Sequence, residues 1–273
     1  MNPDYATQAQ LAWRDFDGLG HFYQFRPEYP PRIARQLRSM LGDSAGGHII
    51  EVGAGTGHFT RSLAAVFGPS FTVLALEPNE DMRRHAETST PTRMSITYAD
   101  GVAERLPVEN ASAQLIAAAS AAHRFDRPLF FQEVRRVLEK DGLLAFIQYQ
   151  PYDKGGSFAD RFLSIIETAL PGYDRHWSSK PEGGYFEFDI VAELQAEAAV
   201  KDVQRDTFLF SEIFDWERFK QQALSFTTVQ RAIGKKGNKV IVSELSELFD
   251  QHQSSDKRVE MPFEVEIITA RRV

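Results

Sequence analysis

The 273-residue sequence predicts a doubly wound α/β fold, an open and mostly parallel sheet with helices on both faces. Three observations predict it. Short β-rich runs alternate with stretches whose apolar residues recur at helical spacing, over roughly residues 31 to 147. One of those runs, Phe71–Leu76, is apolar and β-branched without alternation, as strands covered on both faces are. The first run opens into Gly53, Gly55 and Gly57, three glycines at every second position, and an amphipathic stretch follows at once.

The elements follow in order. Residues 1–29 are aromatic and polar with no clear period, and Arg26-Pro27-Glu28-Tyr29-Pro30-Pro31 fixes an extended entry. Pro31 suits the first turn of a helix carrying Ile33, Ala34, Leu37 and Leu41, which ends near Gly42. A strand is expected at about 48–52, and beyond the glycines Phe59, Leu63, Ala64 and Phe67 mark a helix stopped by Gly68-Pro69. Phe71–Leu76 reads as a buried strand, and Asn79 as the cap of a helix starting at Glu80. The rhythm repeats with strands at Met94–Tyr98 and Gln114–Ala119, a helix at 127–139 and a fifth strand at Leu143–Ile147, joined by right-handed crossovers.

From Pro151 the rhythm breaks. Helical spacing at Phe158, Phe162, Ile165 and Ile166 precedes a Gly/Pro/aromatic stretch from Pro171 to Tyr185, which reads as an inserted cap. A strand at about 203–210, a helix at 212–224, a second cap helix at 239–252 and a closing strand at 262–270 complete the chain. The cluster from Arg231 to Lys239 reads as a solvated loop. The expected organisation is one domain overall: residues 1–150 form N-terminal helices and a cofactor-binding core, 151–200 a cap insertion, and 201–273 the end of the core sheet with the second cap helix.

Composition narrows the function. A net charge of −7 argues against a nucleic-acid footprint, and no apolar run approaches the roughly 20 residues of a membrane span. The seven histidines form no HxH or HExxH pair and there is no cysteine, so no metal site is indicated. The first residues lack the pattern of a signal peptide, so a cytoplasmic location is expected. The expected partner is a small-molecule substrate, with no nucleic acid and no membrane, bound by a monomer or homodimer.

In an open α/β sheet, ligands bind beyond the C-terminal strand ends. The glycine loop lies there, and Glu77 ends the second strand at the place of a carboxylate that accepts hydrogen bonds from a ribose diol. A dinucleotide loop has the spacing GxGxxG, whereas here Gly53, Gly55 and Gly57 follow an acid, Glu51. That acid would repel a pyrophosphate and suit an ammonium group, which S-adenosylmethionine carries and a nicotinamide dinucleotide does not.

Glu51-Val52-Gly53-Ala54-Gly55-Thr56-Gly57 resembles motif I of class I S-adenosylmethionine-dependent methyltransferases. Leu76-Glu77-Pro78-Asn79-Glu80-Asp81-Met82 resembles that family's ribose-binding acidic loop, and Gly101-Val102-Ala103-Glu104-Arg105-Leu106-Pro107 its adenine-binding loop. Ala121-Ala122-His123-Arg124-Phe125-Asp126 and Arg26-Pro27-Glu28-Tyr29-Pro30 resemble segments of a small-molecule branch, the type 11-like methyltransferases. The resemblance implies a Rossmann-like sheet of seven strands in the order 3-2-1-4-5-7-6, the last antiparallel, with helical cap insertions. It implies S-adenosylmethionine as cofactor, S-adenosylhomocysteine as product, and cofactor contacts from Tyr23, Arg26, Tyr29, Glu51, Gly53, Ala54, Gly55, Gly57, Glu77, Pro78, Asp100, Val102, Ala103 and Ser120. Three departures stand out: Val102 where many relatives have Asp or Thr, Gln114 for an aspartate, and Arg124 for a tryptophan.

His123 follows the fourth strand and is the candidate general base for a phenol, enol or amine, or else it packs and fixes the loop. Alignment alone suffices for a carboxylate or phenolate acceptor. Acceptor contacts are expected from Arg124, Tyr149, Tyr152, Arg175 and Trp177, with Tyr173, His176, Tyr185 and Phe186 as further walls. The expected activity is methyl transfer to an oxygen or nitrogen of a small metabolite by in-line displacement. The alternatives are a non-methylating reaction such as a cyclisation with the same cofactor, or a non-catalytic S-adenosylmethionine-binding protein.

Overall fold

A computed structural model describes residues 16–173, 175 and 189–273. Its centre is a seven-stranded sheet built from β1 (Gly47–Val52), β2 (Phe71–Leu76), β3 (Ile96–Ala99), β4 (Ala113–Ala119), β5 (Leu138–Pro151), β6 (Val200–Phe214) and β7 (Val259–Arg272). The spatial order is β3-β2-β1-β4-β5-β7-β6. The first five strands pair in parallel, and β7 runs antiparallel to both β5 and β6. This is the order and the reversed strand that the resemblance implied.

Ten helices accompany these strands among the described residues: α1 (Gly20–Tyr23), α2 (Pro31–Met40), α3 (His58–Phe67), α4 (Glu80–Ser89), α5 (Arg127–Val137), α6 (Phe158–Ala169), α7 (Ile190–Ala196), α8 (Trp216–Leu224), α9 (Thr227–Lys236) and α10 (Asn238–His252). Local chemistry fixes their starts. Pro31 begins α2, and the side chains of Asn79, Asp126, Ser157, Asp189 and Asp215 each accept a backbone N–H of the first turn of α4, α5, α6, α7 and α8.

The two sheet faces bury separate cores. Ile33, Leu37, Phe59 and Leu63 of α2 and α3 cover Ile49, Leu115, Ile147 and Ile267 on one face. Phe130, Val134 and Val137 of α5, with Ile190 and Leu194 of α7, cover Ile50, Ile116, Phe146 and Ile268 on the other. A third core lies beyond the upper ends of β6 and β7, where α6, α8, α9 and α10 surround Phe214, Val259, Met261 and Phe263. Phe219 is its hub, with rings of Phe158, Phe162 and Phe249 at centroid distances of 4.8, 5.7 and 6.0 Å.

The Arg231–Lys239 cluster is not a loop. Residues 227–236 form α9, because Val229 and Ala232 bury against the cap core, while Lys235 and Lys236 fall in the last turn, where cations oppose the helix dipole. Only Gly237, at φ +91°, separates α9 from α10. Strands β5, β6 and β7 also outrun their apolar stretches, because one side of their upper ends carries Gln148, Gln150, Glu264 and Glu266 without interrupting the ladder.

Candidate functional site

The glycine loop leaves β1 at its C-terminal end and turns directly into α3. Gly53, Gly55 and Gly57 all have positive φ, at +73°, +56° and +81°, which side-chain-bearing residues adopt at a cost. They serve different ends. A Cβ on Gly53 would come within 2.5 Å of Ala121 Cβ, so that glycine lets the segment after β4 lie on the loop. Gly55 is uncrowded: the one atom within 4 Å of where a Cβ would stand is Met82 Cε, at 3.9 Å, an ordinary contact distance that leaves space over the backbone. Ala54 is buried between them.

Glu77 is fixed over this space. Gly55 N–H donates to its Oε2 at 2.7 Å and Asn79 N–H to its Oε1 at 2.9 Å. Burial raises the carboxyl above its ordinary range, opposed by those two donors and by the Arg83 and Arg124 guanidiniums. Pro78 leads into Asn79, which caps α4 and donates through Nδ2 to Asp17 at 2.7 Å. Gly20 N–H donates to Asp81 at 3.1 Å, so the segment before α2 is tied to the start of α4.

Glu51 lies beneath the loop, 1% exposed, and its Oε2 has no hydrogen-bond partner. In register beside it stand Ala75 of β2 and Ala117 of β4, with Tyr98 one strand further, so small side chains flank the acid on the α3 face of the sheet. Burial pushes its pKa up to about 8. Arg61 does not reach it as an ion pair; its guanidinium donates to Thr56 O and Ser89 Oγ instead.

The segment Arg26–Tyr29 touches four elements in four residues. Arg26 donates to Ser225 Oγ at 2.6 Å and stacks 3.9 Å above the Phe226 ring and 4.8 Å above that of Tyr23. Pro27 O accepts from Tyr149 Oη at 3.2 Å, Glu28 meets His58 Nδ1 at 3.2 Å, and Tyr29 Oη donates to Ser120 Oγ at 3.0 Å. Arg26, expected among the cofactor contacts, is thus tied to the α8–α9 turn. Ser120 sits at φ +52°, a strained backbone for a serine, held by its N–H to Ile147 O at 2.7 Å.

Beyond Ser120, on the α5 and α7 face, is a cavity of about 340 Å³ lined by Ser120, Ala121, Ala122, His123, Phe146, Gln148, Asp189, Ile190, Arg205, Glu266 and Ile268 among others. The wall Ser120–Ala122 is shared with the glycine loop through the Gly53 contact. Arg205 and Glu266 form an ion pair of 2.5 Å at its edge. His123, in the short turn Ala122–Arg124, lines it; burial first, then Arg124 and Arg127, push its pKa down to about 3. An imidazole so placed stays neutral and is a feeble base at neutral pH, which suits the packing alternative better than the general base.

Several expected acceptor residues lie elsewhere. Arg175 is saturated inside the cap: Nε and Nη2 donate to Glu167 at 3.0 and 2.7 Å, Nη1 to Asp160 and Asp153, and Nη2 to Ser164. Tyr149 packs edge-on against Tyr29, Phe210 and Phe263, as part of the core and not of an open wall. Arg124 is on the Glu77 side, 4.3 Å above the Phe16 ring, and Tyr152 is 36% exposed beside Pro262. In the expected adenine loop Ala103 is buried, Val102 39% exposed and Asp100 exposed 3.8 Å from Arg83. Trp177, His176, Tyr185 and Phe186 lie outside the described residues. Sequence reading missed Glu28, His58, Asp189, Arg205, Gln148 and Glu266; for the last two the signal was polar residues recurring in otherwise apolar strands. No group of three His, Asp or Glu among the described residues could hold a metal, and no helix there is long and apolar enough to cross a membrane.

The uncrowded Gly55, the Glu77 carboxylate held by two backbone N–H groups and the buried Glu51, whose Oε2 has no hydrogen bond, fit a nucleoside bearing an ammonium. Residues 50–146 match the family model of a methyltransferase domain. An uncharacterized methyltransferase of Schizosaccharomyces pombe is 24% identical over 76% of this chain and 75% of its own length. The malonyl-[acyl-carrier protein] O-methyltransferase of Methylococcus capsulatus is 38% identical over 36% of each chain. The chain spans about half the length of other curated relatives, such as the 48% matched in a Dictyostelium discoideum protein of 30% identity. A structure from Anaeromyxobacter dehalogenans, provisionally named a type II methyltransferase, shares the fold with a TM-score of 0.63 at 20% identity, over 90% of this chain and 97% of that one. Residues 50–146 thus carry a methyltransferase domain, and the strand order and glycine loop around it are those that the resemblance to class I S-adenosylmethionine-dependent methyltransferases implied.

Proposed function

We propose that the chain transfers a methyl group to an oxygen or nitrogen of a small metabolite held in the cavity beside Ser120 and His123, by in-line displacement, releasing S-adenosylhomocysteine. The observation that carries this is the shared wall: the segment that packs on Gly53 also lines a cavity whose size suits a small molecule. S-adenosylmethionine supplies an electrophilic methyl on a sulfonium. The glycine loop, Glu51 and Glu77 hold it in this reading, and Tyr29 orients Ser120 at the junction between the two spaces.

Among the described residues in and behind the cavity wall, none whose pKa is shifted is a base tuned to neutral pH. His123 is neutral and weakly basic, and Tyr29 and Tyr149 are pushed above the usual phenol range by burial. This favours acceptors whose attacking atom is already unprotonated, a carboxylate above all, for which positioning supplies the catalysis. The relative named for O-methylation of a malonyl carrier supports an oxygen acceptor over the stretch it shares. The test is incubation with methyl-labelled S-adenosylmethionine and a panel of small carboxylic acids, phenols and amines. Label in a carboxylate acceptor is expected; consumption of an acceptor without label transfer would overturn methyl transfer.

A further inference from the structure

Of the two buried carboxyls at the glycine loop, Glu77 has a donor on each oxygen, whereas Glu51 Oε2 has no hydrogen bond; the Thr60 hydroxyl of α3 approaches Glu51 and opposes its shift without closing one. The flanking Ala75 and Ala117 bring no polar atom on its own sheet face. The charged and titratable groups around it come from every neighbouring element: Arg61 from α3, Glu77 from the end of β2, Tyr98 from β3 and Tyr29 from the segment before α2. Arg61, the one cation among them, is engaged by Thr56 O and Ser89 Oγ, while Glu77 adds a second negative charge. An ionised carboxylate in this place lacks both water and a contacting counter-charge.

We propose that Glu51 is protonated in the empty protein and loses its proton to solvent when the cofactor's ammonium arrives, so that this one acid selects the ammonium and makes cofactor binding release a proton. The inference rests on the reading that the glycine loop holds S-adenosylmethionine. Charge balances: a neutral carboxyl and an ammonium become a carboxylate–ammonium pair and one free proton. A pKa raised by burial to about 8 agrees with a neutral acid near pH 7. A ligand with the same nucleoside but no ammonium leaves the proton in place.

Calorimetry of S-adenosylhomocysteine binding to the full chain, in buffers of different ionisation enthalpy at about pH 7, reads the proton directly. The expected release is close to one proton per site, with affinity rising up to roughly tenfold per pH unit between about 6 and 8 and levelling above. Methylthioadenosine, which lacks the ammonium, is expected to bind with no dependence on buffer, and Glu51→Gln to abolish the dependence for S-adenosylhomocysteine. Binding of S-adenosylhomocysteine to the wild type without proton release overturns the proposal, as does a Glu51→Gln protein that still releases the proton, which would assign it to Glu77. If neither ligand binds, the cofactor reading itself has failed.

Discussion

Glu77 and Gln222 show how the same burial has opposite effects according to whether a partner exists. Glu77 accepts two backbone N–H groups, so Glu77→Ala orphans Gly55 N and Asn79 N as well as removing the proposed ribose acceptor. Cofactor binding, measured by calorimetry, is expected to weaken by about 1–3 kcal/mol, and unchanged affinity would remove Glu77 from the site. Gln222 is 1% exposed with neither amide atom hydrogen-bonded. Because a buried unsatisfied amide is costly, Gln222→Leu is expected to raise thermal stability by about 1–3 kcal/mol, read as a higher midpoint by calorimetric scanning. For His123 the sign of the pH effect is settled by its depressed pKa: the ring is neutral at any pH above about 3, so the pH–rate profile should carry no inflection near 6.5. An inflection there that vanishes in His123→Asn would restore it as a base.

At the scale of elements, the cap depends on aromatic packing around α8. Phe219 is fully buried among Phe158, Phe162 and Phe249, so Phe219→Ala is expected to cost about 3–5 kcal/mol in a denaturant titration. Of the first five strands, β1, β2, β4 and β5 were legible because their apolar runs coincide with burial, and β3, only half-buried, from its place in the alternation with helices. Helix α9 was not, since Gly234, Gly237 and three lysines hide the buried pair Val229 and Ala232. The backbone part of the site was legible from Gly53, Gly55 and Gly57, whose φ values depend on nearby sequence. The partners of Arg26 and Arg175 were not: Ser225 is 199 residues from Arg26, and only packing decides that the guanidinium meets it.

At the scale of the molecule, β7 joins the compartments. Phe263 belongs to the cap core and Val265 to the core under α2 and α3, while Ile268 faces the opposite side. The pairing of β5 with β7 runs unbroken from Leu143↔Arg271 to Pro151↔Phe263. Cap and sheet should therefore unfold together: a single denaturation transition is expected, and saturating S-adenosylhomocysteine should shift all of it, by about 2.7 kcal/mol at one hundred times the dissociation constant. Two transitions, with only one moved by ligand, would contradict this. The continuous ladder also sets where such a protein can be re-engineered. A foreign cap can be grafted only at the turns where the strands stop, after Pro151, after Phe214 and before Val259, because a junction placed within β5, β6 or β7 would sever the backbone pairing that joins cap and sheet.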